Sequence, residues 1–164
     1  MALPMNRFLT AQERDYPTAL KEIQAGRKQS HWMWYIFPQI AGLGFSAKSQ
    51  FYAIADMAEA KAYLEQPVLR AHLIEISEAL LKLDTDDARQ VMGFPDDLKL
   101  RSSMTLFHLT DPSLGVFQQV LDKYYGGEMD QQTIDILGIK QDEDPELEAE
   151  QEAEEAQEEK DKVV

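Results

Sequence analysis

Proline, acidic residues and glycine punctuate this chain at the spacing of short helices. From Pro67 to Leu83, apolar residues at Val68, Leu69, Leu73, Ile76, Leu80 and Leu83, together with His72, make one stripe, with Glu75, Glu78 and Lys82 between them. That is the period of an amphipathic helix. Pro95-Asp96-Asp97 starts another, running to about Leu109, because a first helical turn has no use for the N–H that proline lacks and its positive end favours carboxylates. Asp111-Pro112 repeats the signature for a helix to Tyr125 that Gly126-Gly127 ends, and a last turn from Gln131 to Leu137 stops at Gly138. Nearer the N-terminus, Asn6 to Arg14 reads as a first helix. Asp15-Tyr16-Pro17 reads as the start of a second, which Gly26 stops. Ser30 is placed to cap a third, His31 to Phe37, before Pro38. Ser46 and Asp56 open further helical runs, and Thr85 caps a short piece ending near Gly93. Only two short strands around Ile36–Phe45 are compatible with the pattern. The sequence therefore predicts an all-α fold, a compact multihelical single domain with short connecting loops over residues 1–140.

Charge divides the chain. Of 30 Asp and Glu against 16 Lys and Arg, residues 141–164 hold 12 acidic and 2 basic residues and no aromatic one. Such a segment buries too little apolar surface to offset the entropy of ordering, so it is expected to be a disordered acidic tail. A basic protein is the partner such a tail would suit. An acidic surface argues against nucleic acid, whose affinity for proteins comes mostly from cations on phosphates. With no cysteine, thiolate chemistry, disulfides and Cys-based metal sites are excluded. Three scattered histidines and tail acids without calcium-loop spacing predict no metal, and no Gly-rich phosphate loop or dinucleotide fingerprint predicts a cofactor. Trp32 to Phe45, the most apolar stretch, is too short and too broken to span a bilayer, so no membrane association is expected. The first seven residues lack the basic-then-apolar order of a secretory signal, which makes the cytoplasm the expected location.

Two stretches carry candidate chemistry. Gly26-Arg27-Lys28-Gln29-Ser30-His31-Trp32-Met33-Trp34-Tyr35 runs two cations into a helix start bearing three large aromatics. Free N–H groups at a helix start attract phosphate or carboxylate, Lys28 adds charge, Ser30 a donor, and Trp32, Trp34 and Tyr35 a wall for a ring. His31 shares a helix face with Tyr35 and is the one candidate acid or base. Read structurally instead, the same residues are caps and core aromatics. The second stretch is Asp96-Asp97-Leu98-Lys99-Leu100-Arg101-Ser102-Ser103-Met104-Thr105. On a helix Lys99 lies three and four positions from Ser102 and Ser103, so an ammonium and two hydroxyls converge, with Arg101 beside them. The structural alternative pairs Asp97 with Arg101 and bonds the hydroxyls back to the helix.

Lys28-x-Ser30-His31-Trp32-Met33-Trp34-Tyr35-Ile36-Phe37-Pro38-Gln39, then Gly42-Leu43-Gly44, and later Asp96 to Phe107, resemble the bacterial domain of unknown function 1810 family. The resemblance covers about residues 6 to 137 and implies a small multihelical fold with no established activity. Members of that family often carry the label calpastatin. That inhibitor is a largely disordered chain, which a body with 15 aromatic residues and helix-periodic apolar stripes is not. Together these features predict a small anionic ligand, a nucleotide or phosphorylated metabolite, held between the Arg27–Tyr35 and Lys99–Thr105 segments. The alternative is a non-catalytic protein-interaction module with an acidic tail. The sequence does not decide whether any reaction is catalysed.

Overall fold

The computed structural model describes residues 4–138, so the expected acidic tail, 141–164, lies outside the described residues. Among those described, the chain forms nine helices: α1 Asn6–Gln24, α2 Met33–Ile36, α3 Ala47–Tyr52, α4 Met57–Glu65, α5 Pro67–Leu81, α6 Ala88–Met92, α7 Asp96–Thr110, α8 Gly115–Tyr125 and α9 Gln131–Leu137. The fold is all-α, as the punctuation requires. The expected strands around Ile36–Phe45 reduce to one parallel bridge, in which Ala41 N–H donates to Ile54 O and Ile54 N–H to Gln39 O, both at 2.8 Å. Gly42, at φ +105°, turns the loop directly after the bridge in a conformation that favours glycine.

Three helix starts differ from expectation, each for a local reason. Asp87, not Thr85, caps α6: its carboxylate accepts from Arg89 and Gln90 N–H, while Thr85 Oγ1 accepts from Asp87 N–H at 3.1 Å. Asp111 accepts from Ser113 N–H at 3.1 Å and so closes a separate turn, which delays α8 to Gly115. Ser30 caps nothing, because its N–H and hydroxyl are both committed to Glu22, and α2 begins after Trp32 without a side-chain cap.

The two expected N-terminal helices are one. α1 runs through Pro17, because Phe8, Ala11, Gln12, Tyr16, Ala19 and Ile23 form an unbroken buried stripe across it. Burial of that face outweighs the one intrahelical bond that proline removes. Pro17 itself is exposed, so Pro17→Ala restores the bond to Glu13 O without losing contacts. Proline is about 3 kcal/mol worse than alanine inside a helix, and its stiffening of the unfolded chain returns about 1 kcal/mol. The variant is expected to be about 1–2 kcal/mol more stable, read as a rise in Tm; a fall would show that the fold needs the bend.

The core is organised around α7, which packs against α8, α6, α9 and α4, while α5 packs against α1, α8 and α4. An aromatic line crosses it: Phe8 of α1 meets Tyr63 of α4 edge-on at 5.1 Å, Tyr63 meets Phe107 of α7 at 5.1 Å, and Phe107 meets Phe117 of α8 at 6.0 Å. All four side chains are fully buried. Burial of each is worth about 1.5–3 kcal/mol, and this line fixes the position of α7, the helix that carries the second candidate stretch.

Candidate functional site

The basic turn after α1 already holds an anion, and the anion is the protein's own. Glu22, on the last turns of α1, accepts from Gln29 N–H at 2.7 Å and Ser30 N–H at 2.9 Å through Oε1, and from Ser30 Oγ–H at 2.6 Å through Oε2. Trp32 Nε1–H adds a fourth bond at 3.0 Å. Partial burial pushes the Glu22 carboxyl up, but the donors from Ser30, Gln29 and Trp32 prevail and hold it down at about 2. The N–H groups expected to receive a ligand are thus satisfied from within, and Trp32 is core.

Lys28 is also committed. Its ammonium lies 2.8 Å from Asp96 Oδ2 and 2.6 Å from Ser30 O, with the Trp32 ring 5.0 Å away. Only 7% of the side chain is exposed. Asp96 stands at the first turn of α7 and also meets Lys99 Nζ at 3.5 Å, so one carboxylate ties the two candidate stretches together. Tyr35 is buried, and its hydroxyl donates to the Asp15 carboxylate. Burial and that carboxylate push the phenol up to about 12. His31 is exposed at the surface, and only its backbone carbonyl reaches Tyr35, at 3.3 Å from the hydroxyl.

Trp34 is placed differently from its neighbours. It is half-buried, with Lys48 Nζ 5.0 Å and Lys99 Nζ 5.4 Å from its ring. Two ammonium groups against one indole are each attracted by the ring's quadrupole. Trp34 stands at a cleft of about 740 Å³ whose walls are the Gln39–Ser49 loop, the start of α7, and residues 128–132. Lys99, Arg101 and Ser102 line the same cleft; Lys28, Ser30, His31, Trp32, Tyr35 and Ser103 do not. The volume falls within the range of small-molecule sites. Arg101 is weakly held: Glu128, 80% exposed, lies 3.9 Å from it, and the guanidinium Nε is buried without a partner among the described residues. The expected pair between Asp97 and Arg101 is not formed, and Asp97 Oδ1 is also buried without a partner. Ser103 is fully buried, its hydroxyl unbonded.

The cleft contains residues that the sequence did not single out. Asp130, only 8% exposed, caps α9. Its Oδ2 accepts from Thr133 N–H at 3.2 Å, from Thr133 Oγ1 at 2.6 Å and from Ser102 Oγ at 3.0 Å. The Asp130 N–H in turn donates to Thr105 Oγ1 at 2.9 Å. Asp before Gln131 at the expected start of α9 is a cap signature that could have flagged it. No sequence signal brings Gln39 or Gln132 to this place, or Lys48 to the Trp34 ring. Among the described residues no group of three or more His, Asp and Glu is arranged to hold a metal ion, and no helix is long and apolar enough to cross a membrane.

The cleft is mixed, with an aromatic face, the cations Lys99 and Arg101, the exposed carboxylate of Glu128 and the buried one of Asp130. The chain belongs to the family described as protein of unknown function (DUF1810), whose model matches residues 2–137. The conserved hypothetical protein Rv1873 from Mycobacterium tuberculosis, solved by crystallography, is 40% identical and superposes with a TM-score of 0.80, over 82% of this chain and 96% of that one. No curated protein matches the chain.

Proposed function

We propose that this protein binds a small anionic ligand, a nucleotide or a phosphorylated metabolite, in the cleft beside Trp34. The observation that carries the reading is the half-buried Trp34 indole at the cleft wall with Lys99 against it and Arg101 on the same wall. A phosphate or carboxylate can draw the Lys99 ammonium off the indole and so open the cleft side of Trp34 to a flat ring, and Arg101 adds a donor fork once it leaves its loose contact with Glu128. Ser102 lines the same cleft. Lys28, Ser30, Trp32 and Tyr35 serve this site from behind, by fixing the turn through Glu22, Asp96 and Asp15. The reading needs neither Ser103 nor an acid or base at His31.

Titration of the full chain with pyrophosphate, ribose 5-phosphate and nucleoside monophosphates tests it, followed by tryptophan fluorescence and thermal unfolding. A bound probe at 100 times its Kd raises stability by about 2.7 kcal/mol. The fluorescence response is expected to disappear in Trp34→Phe, since Trp32 is 1% exposed and bonded to Glu22. Lys99→Ala is expected to weaken binding about tenfold, the loss of one charge-assisted hydrogen bond. A well-folded protein that responds to none of these probes sinks the reading. It would favour an interaction module instead, for which Phe45, 86% exposed, and Leu98, 45% exposed, supply an apolar rim on the same cleft.

A further inference from the structure

Resting on the anion-binding reading above, we infer that Asp130 makes the cleft selective for a guanine base. Asp130 is more than nine-tenths buried, yet its two carboxylate oxygens are used unequally. Oδ2 takes every bond the side chain makes, from Thr133 N–H, Thr133 Oγ1 and Ser102 Oγ. Oδ1 accepts no hydrogen bond among the described residues, and Asp130 lines the cleft. That oxygen is not one of the enclosed atoms without a partner, so it is open to solvent and free to exchange water for a donor of the ligand. Because Ser102 and Thr133 fix the rotamer, that acceptor is held in place before any ligand arrives and loses little freedom on binding.

The chemistry of that oxygen narrows the ligand. It accepts and cannot donate, so it suits a base edge with adjacent donors and no acceptor between them. Guanine offers this, its ring imino N–H and exocyclic amine both pointing at one oxygen. Adenine and cytosine set a ring acceptor beside their amine, and uracil flanks its imino group with two carbonyls, so each brings a lone pair against the carboxylate. Hypoxanthine keeps the imino N–H and lacks the amine. The amide side chains of Gln39 and Gln132 line the same cleft without hydrogen bonds of their own among the described residues, and they can donate to the guanine carbonyl. Trp34 supplies the ring face, while Lys99 and Arg101 supply the charge for the phosphate.

Calorimetric titration of the full chain with guanosine, inosine and adenosine monophosphates and with pyrophosphate tests this, in wild type and in Asp130→Asn. In wild type the guanosine nucleotide is expected to bind about tenfold more tightly than either other nucleotide, the effect of one hydrogen bond to a charged acceptor. Asp130→Asn still has an oxygen for the Thr133 and Ser102 donors but presents an amide N–H to the cleft, so the preference vanishes, and pyrophosphate, which meets one carboxylate fewer, binds no more weakly than to wild type. Equal wild-type affinity for guanosine and inosine monophosphates overturns the inference, and this comparison needs no variant to fold. A preference that survives in a folded Asp130→Asn protein overturns it as well. Failure of all four probes to bind removes the anion-binding reading and this one with it, whereas binding without preference removes this one alone.

Discussion

Arg7→Ala is expected to be among the most damaging single substitutions in this protein, costing about 3–5 kcal/mol in urea unfolding. Arg7 projects from the first turn of α1 and is 5% exposed. Its Nε–H donates to Phe51 O at 2.7 Å, Nη1 to Pro4 O at 2.9 Å, and Nη2 both to Ala53 O at 2.9 Å and to Glu59 Oε1 at 2.8 Å. The Glu59 side chain is only 10% exposed and also receives Ala55 N–H at 3.0 Å. Removing the guanidinium leaves a buried carboxylate without its cation and takes a donor from three carbonyls, which is why breaking a buried pair costs far more than the pair itself contributes. Arg7→Lys is expected to recover little, because one ammonium cannot serve the end of α3, the residue after it and α4 at once. Arg7→Met with Glu59→Leu is expected to be milder than Arg7→Ala alone, since no charge is then stranded. A loss under 1 kcal/mol for Arg7→Ala would contradict this account. The consequence reaches the cleft: Ala53 precedes Ile54, whose bridge to Ile40 anchors the start of the loop that forms one wall.

What the sequence revealed and what it concealed follow from how local each feature is. The starts of α5, α7 and α9 were readable because proline or a following helical pattern marks them within one turn. Pro17 misled for the same reason. Its local meaning is a start, and only the stripe from Phe8 to Ile23, buried against partners distant in sequence, shows that the helix continues. At the site, the paired motifs gave Trp34, Lys99, Arg101 and Ser102, all on elements that local patterning places. Asp130 is 28 residues from Ser102, and Lys48 lies in a helix of ordinary composition; tertiary packing alone brings the first to the cleft and the second against Trp34. The Arg27–Tyr35 turn was legible as an anion site but not as one whose anion is internal. Its cations and free N–H groups are visible in the chain, whereas nothing local marks Glu22, one of two glutamates of α1, as the carboxylate that satisfies the donors until the turn folds back on it.

Glu22 accordingly carries a prediction with a definite dependence on pH. One carboxylate satisfies four donors that have no other acceptor among the described residues, so Glu22→Ala is expected to cost about 3 kcal/mol at neutral pH and to loosen the Trp32 environment. Glu22→Gln retains an oxygen for the backbone donors and loses the charge; because the site is only partly buried, its cost is expected to be smaller, about 2 kcal/mol. In the folded protein the carboxyl is held at about 2, below its ordinary 4.5. The folded state therefore binds that proton less readily than the unfolded chain, and stability from Glu22 is fully present above about 4.5. It is lost as the pH falls from there toward 2. Glutamine does not titrate, so the gap in stability between wild type and Glu22→Gln is expected to be constant from pH 7 to about 5 and to close progressively between pH 5 and 2. Urea unfolding of both proteins at each pH isolates this group, since the other carboxylates are common to the pair and cancel in the difference. A gap that stays constant down to pH 2 would mean that Glu22 acts by shape alone, and the turn would then be open to an external anion after all.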